Sequence, residues 1–423
     1  MPAEQLQFIY IKETTMLPEQ LLIRAKQIEK ELIDIRHHLH ANPEIGFDLV
    51  HTKSFVKEEL RKLGYTPTDC GKSGLTALVG GKKQGKVFLI RADMDALPIK
   101  EEANIVFASQ NNNMHACGHD MHTAMLLGAA RLLKEHEAEI EGTVKLMFQP
   151  AEELLEGSKD MIEHGVLENP SVDAALMMHV MTGIPLPTGT IVACDGGVSA
   201  PAADYFTIQI QGKGCHGSTP NKGIDPITIA AHIIIGLQEI SARELFLFDP
   251  VALTIGTVHA GIADNVIPDT ASLGGTLRAY DESTRAYIKK RICEISSGIA
   301  TSFRATATVQ FTSGCPVLIN ESSLAQCTLS FVRELLGTQK AFSASQLNAM
   351  SDSGSASKSS GSEDFAYVSQ KVPSIMFAIA AGEPQKGFKY PLHHPKVMFD
   401  DNALTIGSAV YAYTALRWLQ EHK

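Results

Sequence analysis

The segment MHACGHDMHTA (114–124) sets a thiol and an imidazole two residues apart, Cys117 and His119, just ahead of a helical pattern. Thiolate and neutral imidazole are both good donors for zinc-like ions. His115 and His122 flank the pair, where outer groups orient ligands. Taken alone, the segment reads equally as a buried Cys beside helix-capping residues. Two further carboxylates, Glu152 and Glu153, close the apolar run GTVKLMFQPAEE (142–153). Adjacent loop residues point in different directions, so one can hold a metal while the other accepts a proton from water. His179 ends a third apolar run, VDAALMMHV (172–180), and His393 and His394 stand together in YPLHHP. Each alone is more often a packed or surface histidine. As a set, Cys117, His119, Glu153, His179 and one of the two late histidines suit two cations that share a ligand and leave room for water. Asp93 and Asp95, i and i+2 at the end of KVFLIRADMDALP (86–98), can face the same place behind the ligands or on the substrate side.

These residues need a scaffold that brings strand ends together. Runs 86–98, 142–153 and 172–180 read as buried strands, and Met121–Leu133 as a helix between them. Residues 17–40 repeat Leu21, Ala25, Ile28, Leu32, Ile35 and Leu39 at helical spacing, with Pro43 as a stop. Strands alternating with helices predict an α/β fold, a mainly parallel sheet covered on both faces, whose carboxyl edge is the usual place for ligands. The pattern changes after residue 201. Strands at 204–212, 251–260, 269–280 and 305–314, with helices at 227–240 and 283–300, give the order βαββαβ, a ferredoxin-like split unit. We therefore expect a catalytic domain of residues 1–201 and 312–423, interrupted by an α+β insert at 202–311. The Ser- and Gly-rich stretch 351–362 reads as a mobile loop.

Composition narrows the function. A chain of 423 residues exceeds one simple core. A net charge of −10 without a Lys/Arg cluster argues against nucleic acid. No run of 18 apolar residues predicts a membrane span, and the first 15 residues lack the features of a secretory leader and read as a tail before Met16. Seven widely spaced cysteines with no CxxC favour reduced thiols and the cytoplasm. Two nucleotide-like patterns fail on context. Gly212-Lys-Gly214-Cys-His-Gly217 matches GxGxxG but no helix opens inside it. The GKS at 71–73 has Thr66 where a phosphate loop needs Gly. No GxSxG elbow occurs. His37, His38 and His40 lie on the first helix and read as packing or surface groups.

HLHANPEIGF, DMDALPI, HACGHDMH, QPAEE, GCHGSTPNKGIDPI, DNVIPD, GTLRAYD, SEDFAY and LHHP follow one another in this chain. In that order they resemble the aminoacylase and carboxypeptidase family of two-metal peptidases. The branch most similar holds N-acyl-amino acid amidohydrolases, hippurate hydrolases and auxin-conjugate hydrolases. The resemblance implies two divalent ions, zinc or manganese with cobalt or nickel as further candidates. It implies Cys117, His119, Glu153, His179 and His393 as ligands and Glu152 as general base. It makes the insert a lid that mediates a homodimer, with His216 reaching the partner's site to stabilise an oxyanion. Asn265 and Arg278 then contact substrate, Arg278 through a carboxylate. The implied reaction is hydrolysis of N-acyl-amino acids. A dipeptide-cleaving carboxypeptidase or an N-acetyl-diaminopimelate deacetylase on the same scaffold are the alternatives.

Overall fold

The structure is a computed structural model, and it describes residues 18–350 and 361–423. The expected tail and most of the Ser/Gly stretch lie outside the described residues. An eight-stranded sheet forms the larger unit. Its centre is parallel: Val87–Asp93 pairs with Thr143–Gln149 on one side and with Ala174–Met181 on the other, and Ala174–Met181 pairs in turn with Ser374–Ala380. Antiparallel pairings join the outer strand Gly74–Gly80 to Thr143–Gln149, and Ile191–Ala193 to Ser374–Ala380. The strand Val87–Asp93 is buried at all seven positions. That continuous burial is what a strand covered on both faces requires, and it explains the lack of alternation in FLIRAD.

Helices His119–Glu135, Ser322–Leu336 and Asn402–Glu421 pack with the N-terminal helices into one large apolar core on one face of this sheet. All six residues of the N-terminal stripe, Leu21 to Leu39, are buried. The helix read as continuous over 17–40 is two, Pro18–Gln27 and Glu29–Ala41, meeting at Ile28, where the backbone opens to φ −94°, ψ 7°. The apolar stripe crosses that junction in phase. A second apolar cluster, with Met147, Met161, Met177 and Phe365, covers the other face.

The insert has its own core, built from Phe206, Ile208, Ile233, Leu273, Ile288 and their neighbours. Its antiparallel sheet runs Val251–Ala260, Thr270–Ala279, Ala202–Gln211, Thr306–Cys315, with helices Pro226–Glu239 and Glu282–Ser302 packed on it. This is the strand order of the split unit. The last strand continues to Cys315, past a bulge at Phe311/Ser313, so a division after residue 311 would cut it. Asp225 caps the first helix by accepting from the Ile227 N–H, and Asp281 caps the second by accepting from the Thr284 N–H.

Candidate active site and metal centre

Four neighbouring parallel strands deliver the site. Asp93 aligns with Gln149 across one pairing and His179 with Ala378 across another, so the segments that follow these strands emerge at one edge of the sheet. Three non-glycine residues there hold left-handed backbone: Ala151 at φ 52° and Leu155 at φ 57° bracket Glu152 and Glu153, and His393 lies at φ 65°. Such conformations cost of order 1–3 kcal/mol each and cluster where side chains must be aimed. Gly118, at φ 88°, opens the helix that begins with His119. A Cβ there would lie 2.4 Å from Val180 Cγ2, so the turn between Cys117 and His119 requires glycine.

The donor atoms converge. Cys117 Sγ is 3.4 Å from His179 Nε2 and 3.2 Å from His393 Nε2. His393 Nε2 is 3.4 Å from Glu153 Oε1, and His119 Nε2 is 3.9 Å from both Glu153 Oε1 and Glu152 Oε2. Donors on one tetrahedral zinc stand roughly 3.5 Å apart, given the usual bond lengths. Two compact groups share Cys117, Cys117–His119–His179 and Cys117–Glu153–His393, and His119 also lies within reach of Glu152 and Glu153. Both ring nitrogens of His119 and Oε1 of Glu153 are buried without a hydrogen-bond partner. Buried polar atoms without partners are rare and costly; His119 Nε2 and Glu153 Oε1 stand among the donors, while His119 Nδ1 faces Asp95 Oδ1 at 3.5 Å. The donor set therefore fits divalent cations.

Charge tells the same story. Burial pushes the Cys117 thiol up, but His179 and His119 outweigh it and bring it down to about 6. Burial lowers His179, yet Cys117 raises it to about 9. His393 is raised to about 10 by Cys117 and Glu153. Anionic donors here draw positive charge onto every imidazole they face.

Supporting residues fix these groups. Asp95 accepts the backbone N–H of Glu152 at 3.0 Å and of Glu153 at 3.2 Å, which sets the carboxylate loop. Asp93 Oδ1 bonds His122 Nδ1, whose Nε2 accepts the Val180 N–H. His122 thus ties two strands behind His119. His115 does not share this role: it is buried in a separate cluster with His40 and Asp120, and burial brings it down to about 3. Asp120, next to His119, accepts from Arg36 Nε at 2.9 Å and pairs with His40 at 2.8 Å. His37 stacks on Phe107 and His38 on Phe55, as packing groups do.

A cleft of about 440 Å³ opens over the centre. Cys117, Glu152, Glu153, His179 and His393 line it, and Arg278 and Tyr205 of the insert face them. His394 is turned away, stacked on Tyr390 and accepting the Lys396 N–H. His216 and Asn265 do not line this cleft; they are exposed neighbours at the far end of the insert, where the Gly217 N–H donates to Asn265 O.

Residues 89–417 match Peptidase family M20/M25/M40. The chain belongs to this family. As an M20/M25/M40 member it is a hydrolase, a metal-dependent amidohydrolase. It is 36% identical to "Thermostable carboxypeptidase 2" of Saccharolobus solfataricus, over 95% of this chain and 99% of that one. It is 35% identical to "N-acetyl-L-cysteine deacetylase" of Bacillus subtilis, over 97% and 93%. A solved Bacillus subtilis structure, described as a dinuclear metal binding peptidase from the M20 family, superposes with a TM-score of 0.75 at 33% identity, covering 93% of this chain and 99% of that one.

This M20/M25/M40 chain also uses residues that pattern reading missed. Arg91, 1% exposed, donates to Asp93 at 2.7 Å, Glu363 at 2.8 Å, Asp364 at 3.1 Å and Gln149 at 2.7 Å. Glu152, Glu363 and Asp364 bring carboxylate oxygens within 4.8 Å of one another. A cation inside the apolar run FLIRAD was the available signal, since a buried charge needs partners.

Proposed function

We propose that this enzyme hydrolyses the amide bond of N-acyl-L-amino acids that keep a free carboxylate. The observation that carries this reading is the cleft itself: a proton-accepting carboxylate, Glu152, stands beside the Cys117-centred donors, with the Arg278 guanidinium opposite. Cys117, His119 and His179 would hold one divalent cation, and Cys117, Glu153 and His393 the other. Zinc or manganese suits this mixture of sulfur, nitrogen and oxygen, with cobalt or nickel as substitutes. Bound there, the cations would acidify a water and polarise the scissile carbonyl.

The chain's own groups do the rest. Burial, then Glu363 and Glu153, raise the proton affinity of Glu152 well above the ordinary carboxylate range. Glu152 takes the proton released as water oxygen bonds to the carbonyl carbon, and returns it to the amine nitrogen as the C–N bond breaks. Arg278 orients the carboxylate of the amino-acid half. His216 Nδ1 accepts the Ser218 N–H, which leaves Nε2 as the protonated nitrogen of the neutral ring. That N–H is the donor a developing oxyanion requires, and from its exposed corner it would be supplied by the lid of a second copy, alongside Asn265. The insert offers such a copy an edge strand, Val251–Ala260, with Val258 54% exposed and Ile262 fully exposed beyond it.

Two experiments test this. Acetyl-, benzoyl- and indole-acetyl-amino acids should be assayed beside dipeptides, with and without chelator. Turnover of the acyl-amino acids, abolished by chelation and restored by metal, is expected; preference for dipeptides would favour a carboxypeptidase. Separately, His393→Ala should drop metal content by about one ion per chain and activity by more than about 100-fold. His394→Ala should stay within about 2-fold. Equal losses in the two variants would refute the assignment of His393.

A further inference from the structure

Tyr205 and Arg278 lie on neighbouring strands of the insert. Tyr205 is paired with Thr276, and Ala203 with Arg278, so the two side chains are diagonal neighbours on the same outward face. This face is opposite the insert's helices, and at this end it forms the roof of the cleft. Arg278 Nη2 donates to the Tyr205 hydroxyl at 3.1 Å, and the guanidinium carbon stands 5.2 Å from the centre of the Tyr205 ring. Nη1 donates to Thr276 Oγ1 at 2.6 Å and to Leu277 O at 3.1 Å. Three of the five N–H groups of a guanidinium are thereby engaged, and the fork keeps donors for a ligand.

We propose that Tyr205 is a positioning residue: it fixes the Arg278 fork so that a free α-carboxylate on the amino-acid half becomes a requirement of the substrate. The inference rests on the assignment of Arg278 to that carboxylate. An arginine on a half-exposed strand samples many rotamers, and a ligand that must freeze them loses affinity. The Tyr205 hydroxyl and ring freeze the guanidinium beforehand, at an angle set by the strand pairing. Tyr205 itself is 42% exposed, which a residue kept for core packing would not be.

The test compares the fastest acid of the substrate panel with its primary amide, which differ only in the carboxylate. In Tyr205→Ala, KM for the acid should rise about 10-fold with kcat within about 2-fold, since binding and transition state lose the same contact. Tyr205→Phe, which keeps the ring and loses one hydrogen bond, should raise it about 3-fold. Neither variant should change kcat/KM for the amide by more than about 2-fold. Arg278→Met should erase the preference for acid over amide. If Arg278→Met erases it while both Tyr205 variants leave it intact, or penalise acid and amide alike, the role of Tyr205 is overturned and that of Arg278 stands. If Arg278→Met keeps the preference, the carboxylate assignment itself falls, and the Tyr205 inference with it.

Discussion

Glu152→Gln should keep its metals and lose about 10²–10⁴ in kcat, the usual contribution of a positioned general base. The substitution preserves shape and leaves the Glu152 N–H on Asp95, so the carboxylate loop keeps its course. It removes only the capacity to accept a proton at Oε. Glu152 is 6% exposed and faces the cleft, and it lies outside the two groups that share Cys117. Glu153→Gln is the contrasting variant: it weakens a donor whose Oε1 stands 3.4 Å from His393 Nε2 in one of the two groups, and should lose metal together with activity. Metal content by atomic emission, read beside kcat for both variants, separates the roles. A Glu152→Gln enzyme within about 3-fold of the parent rate would remove Glu152 from the chemistry.

Arg91→Met should lower the thermal midpoint of the metal-free protein by about 10 °C. Removing one member of a buried ionic network costs about 3–5 kcal/mol because the others are left uncompensated, and each kcal/mol shifts a unit of this size by about 2–4 °C. Three carboxylates, on Asp93, Glu363 and Asp364, would be stranded. The deficit has a pH signature. Burial raises Asp93, and Arg91 with His119 and His122 overcomes this and holds it well below the usual carboxylate range. Without Arg91, the strongest of these counter-charges, burial should push the Asp93 carboxyl up. A carboxyl with a raised folded pKa stabilises the fold below its unfolded value, near 4, and that stability is lost as pH rises through the folded value. The gap between variant and parent should therefore be wider at pH 8 than at pH 5. A gap of the same size at both, or a shift under about 2 °C, would show that Arg91 is not the counter-charge.

Most of the site that could be read from sequence sits where an apolar run stops. Glu152, Glu153 and His179 follow buried strands, and a polar group at that place must have a reason to be there. Cys117 and His119 flank Gly118, the glycine that opens the next helix. The split unit was legible because its strands alternate, whereas the central strands do not. Other features were silent for equally physical reasons. His115 and His122 flank the ligand pair in the same way, yet one ties Asp93 to Val180 and the other sits with His40, because a helix begins between them and turns them to different sides. Glu363 follows a stretch with no periodicity, so nothing local places it beside Arg91. His40 and Arg36 look like surface groups on an amphipathic helix, and only the approach of Asp120 from a distant segment accounts for their burial. The junction at Ile28 has no Pro or Gly to announce it.

One sulfur, Cys117 Sγ, belongs to both donor groups. An oxidant that converts this thiolate to a sulfenic acid takes a donor from each group in a single event. With Cys117 holding both proposed cations, peroxide should silence the enzyme all at once, and a thiol reductant with fresh metal should revive it until the sulfur is oxidised further.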